Sequence, residues 1–429
     1  MNAGRRDETG KLAANQVVIL ALVAGMYWVT HSMLRPLIAP YALDLGASTL
    51  VAGAAVGAFS LLPSLLAIVT GYLGDFFGNR RLLQFGTVGM VASGVLLVAA
   101  ADTTALIISQ VVGGTAMLAM WLAIQSLMTM LATQSGSVDD RNRHITNLSL
   151  FVSGGQLLGP LLGGLVADLA GYRSAFAVFL GLSAALVLAV QLIRNPVPPQ
   201  SQEESVPESD ADSGEQEPPL WRRMLGSHRT ALALIRQQGV FLTVAVSFLA
   251  LFLIDMRMAF FPVYLGEVGF SPLWIGLLIS TSGLCAFLAR PVLPTILRRF
   301  GMSPVVGVSL VAGAAAIGSV ALTESLWVLL LLAAAAGTAL GFTQPVTLAL
   351  ISDYTPHRNR GIGIGLRVMA NRSAQWVDPL MFTLLLSLVG IRQTFIYLAL
   401  AIATLSVLVA FSLHRVEREK PTQDEDREE

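Results

Sequence analysis

The chain has 429 residues, of which 54% are hydrophobic and only 13% charged, its 27 basic side chains balanced by 27 acidic ones. That charged share is about half of the roughly 25% usual in soluble domains, and together with a mean hydropathy of +0.69 it excludes a soluble globular protein. Zero net charge argues against nucleic acid as a partner, because a phosphate backbone requires clustered basic residues, and a single cysteine, Cys285, rules out an intrachain disulfide.

Apolar runs of about 20 residues recur along the whole length, each long enough to cross a bilayer core of roughly 30 Å. Length and breakers predict twelve spans, over 17–39, 49–71, 82–101, 104–132, 145–168, 175–194, 240–264, 273–297, 303–322, 326–351, 361–388 and 393–414. The first follows Arg5, Arg6 and Lys11 but is too long for a signal peptide and lacks a convincing cleavage site. With the N-terminus inside, the outer loops hold only Arg173 and Arg392, five Arg fall within spans, and the remaining twenty of the 27 Lys and Arg lie on the cytoplasmic side. The positive-inside rule therefore predicts a multi-pass plasma (inner) membrane protein with both termini cytoplasmic. A lipid-embedded monomer is expected.

In chain order, span one carries His31 and Arg35, spaced i, i+4 and so on one face, followed by Pro36. Spans two and three are joined by Gly71-Tyr-Leu-Gly-Asp75-Phe-Phe-Gly78-Asn-Arg80-Arg81, whose glycines allow a tight turn. Span four offers Trp121 and Gln125, again one turn apart. Span five contains Gly155-Gln-Leu-Leu-Gly159-Pro160-Leu-Leu-Gly163-Gly164, where small residues four apart let helices approach and the proline kinks the span. Residues 195–219 are rich in Pro, Ser and acid (Glu203, Glu204, Glu208, Asp210, Asp212, Glu215, Glu217) and are expected to be a solvated, disordered linker. A basic amphipathic stretch from Trp221-Arg222-Arg223 to Arg236 is expected to lie along the anionic inner leaflet. The expected organisation is a six-helix bundle over 1–194, a linker over 195–238, a second bundle over 239–414 and a charged tail over 415–429.

Span seven brings Asp255 and Arg257, and span ten Gln344 beside Pro345. Span eleven is the most polar, with Arg367, Asn371, Arg372, Gln375, Trp376 and Asp378. The halves repeat one another: an offset of 223 carries Tyr41 to Tyr264, Asp44 to Glu267, Gly46 to Gly269, Ser48 to Ser271, Gly53 to Gly276 and Gly78 to Gly301. Duplicated six-span halves imply a pseudo-two-fold axis along the membrane normal, with a site near the midplane between them.

Charges within a bilayer are expensive and mark a water-filled cavity. The spans hold five Arg (35, 257, 290, 367, 372) against two Asp (255, 378). Two readings stay open. The positive excess favours an anionic substrate gripped by guanidinium forks. Alternatively the charges are structural, with Arg257 paired to Asp255, Arg372 to Asp378, and Arg290 and Arg367 snorkelling to headgroups. Arg35 has no carboxylate within four positions and could itself snorkel. His31 is either a proton carrier or a packing residue. Asp255 is either a coupling carboxylate or the fixed partner of Arg257.

The loop after span two resembles the signature of the major facilitator superfamily, G-x-L-x-D-R-x-G-R-R. Gly71, Leu73, Asp75, Gly78 and Arg80 match, Arg81 adds a charge, and Phe76 and Asn79 depart from it. The resemblance implies an all-α integral membrane fold of twelve helices in two pseudo-symmetric bundles, with spans one, four, seven and ten lining the cavity. It also implies that Asp75 latches the start of span eleven, near Arg358 to Gly363; Arg298 stands at the equivalent position of the second half. The span-five run matches G-x-x-x-G-P-x-x-G-G and is similar to the antiporter and exporter branches, although Gln110, in Gln110-Val-Val-Gly113-Gly114, stands where those branches carry an arginine in span four.

No His/Cys cluster has metal spacing and no glycine loop has the Lys-Ser/Thr of a nucleotide site, so neither an enzyme nor a cofactor is expected. The expected function is secondary transport of a small organic molecule by alternating access, as an exporter exchanging for protons. An importer or exchanger of an organic anion is the alternative, and a non-transporting sensor a more distant one. Asp75→Asn is expected to leave expression intact and slow turnover in a transport assay; unchanged turnover would remove the latch.

Overall fold

The computed structural model describes residues 2–133, 138–193, 230–356 and 359–419; of these, 2–14, 67–77, 129, 132, 133 and 138–147 are described as backbone alone. The described chain is almost wholly helical, without a strand. Span one is Asn2–Asp44, span two Thr49–Phe77, span three Asn79–Ala99, span four Thr103–Thr133, span five Val138–Ala170 and span six Tyr172–Gln191. Span seven is Gln238–Glu267. Span eight runs through Pro272–Ala289, a 3-10 turn at Arg290–Val292 and Leu293–Phe300. Span nine is Met302–Ser319 with a 3-10 end at Val320–Leu322. Span ten is Leu326–Gly341 continued by Thr343–Tyr354, span eleven Arg360–Val389 and span twelve Ile391–Glu419.

Eleven of these helices are long and apolar enough to cross a membrane. Span eleven fails that measure because Arg367, Arg372 and Asp378 sit in its middle, yet it has the length of its neighbours and is packed among them. Backbone hydrogen-bonding explains both facts: a helix satisfies its own N–H and C=O groups whatever its side chains, so polar residues are tolerated where protein rather than lipid surrounds them.

The internal repeat is written into the turns. Gly46, Gly78, Gly171, Gly269, Gly301 and Gly390 have positive φ, and these are all such residues among those described. They form three pairs, Gly46 with Gly269, Gly78 with Gly301 and Gly171 with Gly390. The turn after span one closes through Leu45 N–H to Tyr41 O, Gly46 N–H to Leu43 O and Ala47 N–H to Ala42 O; the turn after span seven repeats all three as Val268 to Tyr264, Gly269 to Gly266 and Phe270 to Leu265. A positive φ is nearly free for glycine and costly for other residues, which is why these positions carry the repeat.

Three seams join the halves: span two against eleven, five against eight, and one against seven. The first two are closest at the end of the bundle that carries the turns at 45–48, 171, 268–271 and 390. A Cβ at Gly164 would overlap the Pro272 carbonyl, and one at Gly276 the Pro160 carbonyl. A Cβ on Gly53 would run into the Thr383 side chain and lie 2.8 Å from the Pro379 carbonyl. This face is closed by backbone touching backbone.

The linker expected over 195–238 falls outside the described residues up to 229. Residues 230–235 are helical. Of the stretch from Trp221 to Arg236, only 230–236 are described, and there Leu234 is buried with Val240, Ile351 and Leu366, against spans seven, ten and eleven. Apolar side chains next to a ready apolar cleft bury there first.

Gly164→Leu is expected to wedge the closed face apart, since overpacking a close contact costs about 1–3 kcal/mol. Gly154→Leu, with open space around its Cβ, is the matched control. Spin labels at positions 44 and 267 on a Cys285→Ser background should report a longer distance for the first variant only.

Candidate functional site

Near the middle of the bundle, span one and span seven meet through charge. The Arg35 guanidinium pairs with the Asp255 carboxylate through Nη2 and Oδ1, and both residues are buried, at 8% and 2% exposure. Two earlier expectations are thereby corrected. Arg35 does not snorkel, and Asp255 is not held by Arg257, because residues two apart on a helix point to different sides while Arg35 approaches across the seam. Arg257 is itself buried, with Nε and Nη1 lacking a hydrogen-bond partner.

One turn before Arg35, span one carries an aromatic cluster. Tyr27 stacks on Trp121 of span four at 5.7 Å and on His31 at 6.0 Å, and Trp28 sets its edge against Trp121 at 5.3 Å. His31 also approaches Phe59 of span two at 5.4 Å and places Nδ1 3.1 Å from the Met117 sulfur. Phe59 receives the Arg35 guanidinium 5.7 Å from its ring centroid, within the range at which a cation is drawn to an aromatic face. Tyr27, Trp28 and Phe59 were not singled out from sequence, although Tyr27 and His31 at i, i+4 were a usable signal. Gln125, a turn beyond Trp121, is exposed.

Next to this cluster a narrow crevice is lined by His31, Leu34, Arg35, Ile38, Val56, Phe59 and Gln110. Gln110 Nε2 has no hydrogen-bond partner there. The amide that stands in place of an arginine thus faces the same space as Arg35, and the crevice holds one guanidinium instead of two like charges.

Span eleven brings a second set of polar side chains. Arg372 donates from Nη1 to Gln375 Oε1 at 3.1 Å, and the same oxygen accepts from Ser60 of span two at 3.2 Å. The expected Arg372–Asp378 pair is therefore corrected: the amide three residues on is nearer to hand, and Asp378 is fully buried with neither carboxylate oxygen hydrogen-bonded. Asn371 Oδ1 and Trp376 Nε1 on the same helix are likewise without partners. Arg367 does not snorkel. It donates from Nε to Thr347 at 3.0 Å and from Nη2 to Gln344 Oε1 at 2.6 Å, pinning span eleven to span ten and occupying the oxygen of Gln344. Arg290 also turns inward, donating to Ser153 Oγ of span five at 3.0 Å.

The span-five motif divides its work. Gly155, Gly159 and Gly163 lie against the backbone of span one at Gly25, Val29 and Met33, while Gly164 and Pro160 meet span eight. Ser280 of span eight donates to Leu157 O at 2.6 Å across the same seam. Of the loop after span two, Gly71 and Asp75 lie outside the described side chains. Gly78 makes the turn at φ 80, Arg80 reaches Gln191 O of span six at 3.5 Å, and Arg81 is exposed.

Comparison with known proteins accords with this arrangement. The Major Facilitator Superfamily sequence profile matches residues 20–322 and again 244–429. The chain is 29% identical to the uncharacterized transporter YgaY of Escherichia coli O157:H7 over 42% of its own length and 44% of that protein. It is 24% identical to the quinolone resistance protein NorA of Staphylococcus aureus, over 42% and 46%. The match thus spans less than half of these curated relatives. In fold it is similar to a bacterial homologue of the human lysosomal transporter Spinster in an inward-facing, unoccupied conformation, with TM-score 0.75 and 14% identity over 94% of this chain and 98% of that one. It is also similar to the nucleoside transporter NupG, with TM-score 0.74 and 16% identity over 95% and 100%. A profile that covers nearly the whole chain, on a twelve-helix fold with buried polar groups between its halves, makes this protein a member of the Major Facilitator Superfamily.

Proposed function

We propose that the protein exports a small organic molecule in exchange for protons, with the Arg35–Asp255 pair as the tie that each exchange cycle must break. The observation that carries this reading is that pair: it joins the two halves, is buried, and adjoins both an aromatic wall and a polar one. A structural ion pair could sit anywhere in either bundle; one that crosses the moving seam couples charge to motion. The arginine census makes the closed face the outer one, so the conformation is inward-facing in this reading, in keeping with the resemblance to the Spinster homologue. NorA, as a resistance protein, agrees with export. Flat aromatic walls from Tyr27, Trp28 and Trp121 suit an organic solute with a ring system.

The second reading, an exchanger of an organic anion, is favoured by Arg257, whose two unpartnered nitrogens lie buried and offer a fork to a carboxylate or phosphate.

Removing one member of a buried pair leaves an uncompensated charge and costs about 3–5 kcal/mol. Arg35→Ala is expected to lower the unfolding midpoint in detergent, and Arg35→Ala with Asp255→Ala to recover most of the loss; equal loss in both would mean that the pair contributes nothing. A ligand found by thermal stabilisation of the purified protein should, when added to everted vesicles energised acid inside, discharge an internal pH probe. Uptake of that ligand with a silent probe would point to another ion or to facilitation.

A further inference from the structure

Asp378 is the group that the site as described leaves without a use. It is 0% exposed, in the middle of span eleven, and neither carboxylate oxygen accepts a hydrogen bond. Its helix packs against spans two, seven, ten and twelve. Span two brings no charged side chain among its described residues, span ten only Asp353 near its end, and span twelve Arg392, paired to Glu324 at the closed face, and the basic and acidic groups of its far end. Span seven brings Asp255, Arg257 and, at its end, Glu267, span eleven itself Arg360 at its start, Arg367 and Arg372, and span one His31 and Arg35. The charged groups that act on Asp378 are Asp255 and Arg35. Arg35 engages Asp255 through one nitrogen and keeps Nε and Nη1 without hydrogen-bond partners.

An isolated carboxylate in an apolar interior costs far more than a neutral carboxyl, and buried charge persists only when paired. A metal cation would need several oxygen ligands, whereas the charges nearest this carboxyl include the Arg35 guanidinium, which repels a cation. We propose that Asp378 is the carboxyl on which the exchanged proton is carried, and that Arg35 trades Asp255 for Asp378 when that proton leaves. The inference rests on the exchange reading above and adds to it the proton's seat and the moving partner. The proton departs to water in the opened cavity, the Asp378 anion attracts the unpartnered side of the Arg35 guanidinium, and Asp255 is released. Span one is then tied to span eleven instead of span seven. The cluster of Arg35, Arg372, Asp255 and Asp378 carries one positive charge with the proton and none without it, and the released Asp255 carboxylate is left to Arg372, whose charge also acts on it.

The test needs no transported ligand. Purified protein in lipid nanodiscs, titrated from acid to alkaline pH, should lose the infrared carbonyl band of a protonated carboxyl; Asp378→Asn should remove that band, whereas Asp255→Asn, which leaves Arg35 no other carboxylate, should keep it but lose it at lower pH. Spin labels at 44 and 267, on the Cys285→Ser background, should show a distance distribution that shifts with pH in the otherwise unchanged protein and not in Asp378→Asn. A titrating band that survives Asp378→Asn, or a distance that still shifts with pH in that variant, overturns the proposal. If Asp378→Asn fails to fold, Asp378→Glu should move the band without abolishing it, and a band that stays in place overturns the proposal equally. Loss of exchange in the vesicle assay with the band at Asp378 retained would sink the antiport reading and leave the proton's seat standing.

Discussion

Charge in the middle of a bilayer must find a partner or a proton, and this constraint organises the whole molecule. Arg35 and Asp255 meet it together, and their meeting joins span one of one bundle to span seven of the other. Arg367 meets it by turning into Thr347 and Gln344, and Arg372 through Gln375. Arg290 crosses to Ser153. Each arginine that sequence alone would have sent to the headgroups is answered from inside, because a desolvated guanidinium with several fixed donors gains more from nearby oxygens than a long side chain gains from bending to the surface. Arg257 and Asp378 are the exceptions, and a transporter's unsatisfied groups are where a mobile partner has a place.

The seams between the halves show how such a protein can be both tight and movable. Backbone meets backbone at Gly164 and Pro272, and at Gly276 and Pro160, so the contact is close and carries few interlocking side chains. Dispersion across so small a gap is favourable, yet nothing large must be withdrawn for the surfaces to part. The polar crossings are few and directional, Ser280 to Leu157, Ser60 to Gln375 and Arg290 to Ser153. Hydrogen bonds of this kind within a membrane are worth about 1 kcal/mol each, enough to set register without locking it.

Much of the fold was legible in the sequence because its determinants are local. Apolar length fixes a span, and a glycine that must adopt positive φ fixes a turn, so Gly46, Gly78, Gly269 and Gly301 carried the repeat openly. The site was legible by residue and not by partner. His31, Arg35, Trp121, Asp255 and Arg372 all gather near one another, but sequence spacing suggested Arg257 for Asp255 and Asp378 for Arg372, whereas Asp255 is tied to Arg35 of a distant helix and Arg372 to Gln375. Gln344 shows the converse: it looked available beside Pro345, and Arg367 on the next helix holds it. No spacing rule in a single sequence reports a rotation of one helix against another.

The pairing of Arg35 also changes what the excess of arginine means. Counted along the chain, five Arg against two Asp suggested a site awaiting an anion. Counted by environment, Arg290 belongs to a seam and Arg367 to the contact of spans ten and eleven, leaving Arg35 to act on Asp255 and Asp378 and Arg372 on Asp255, with Arg257 apart. The central cluster is therefore neutral when both carboxyls are ionised and carries one positive charge when one of them holds a proton. A site that sits one proton away from neutrality is poised to let proton binding alter which carboxylate the guanidinium prefers, and the helix that each carboxylate belongs to decides which way the halves are drawn. Under the proposed exchange, the cargo's own charge matters less than its ability to occupy the aromatic wall while that choice is made.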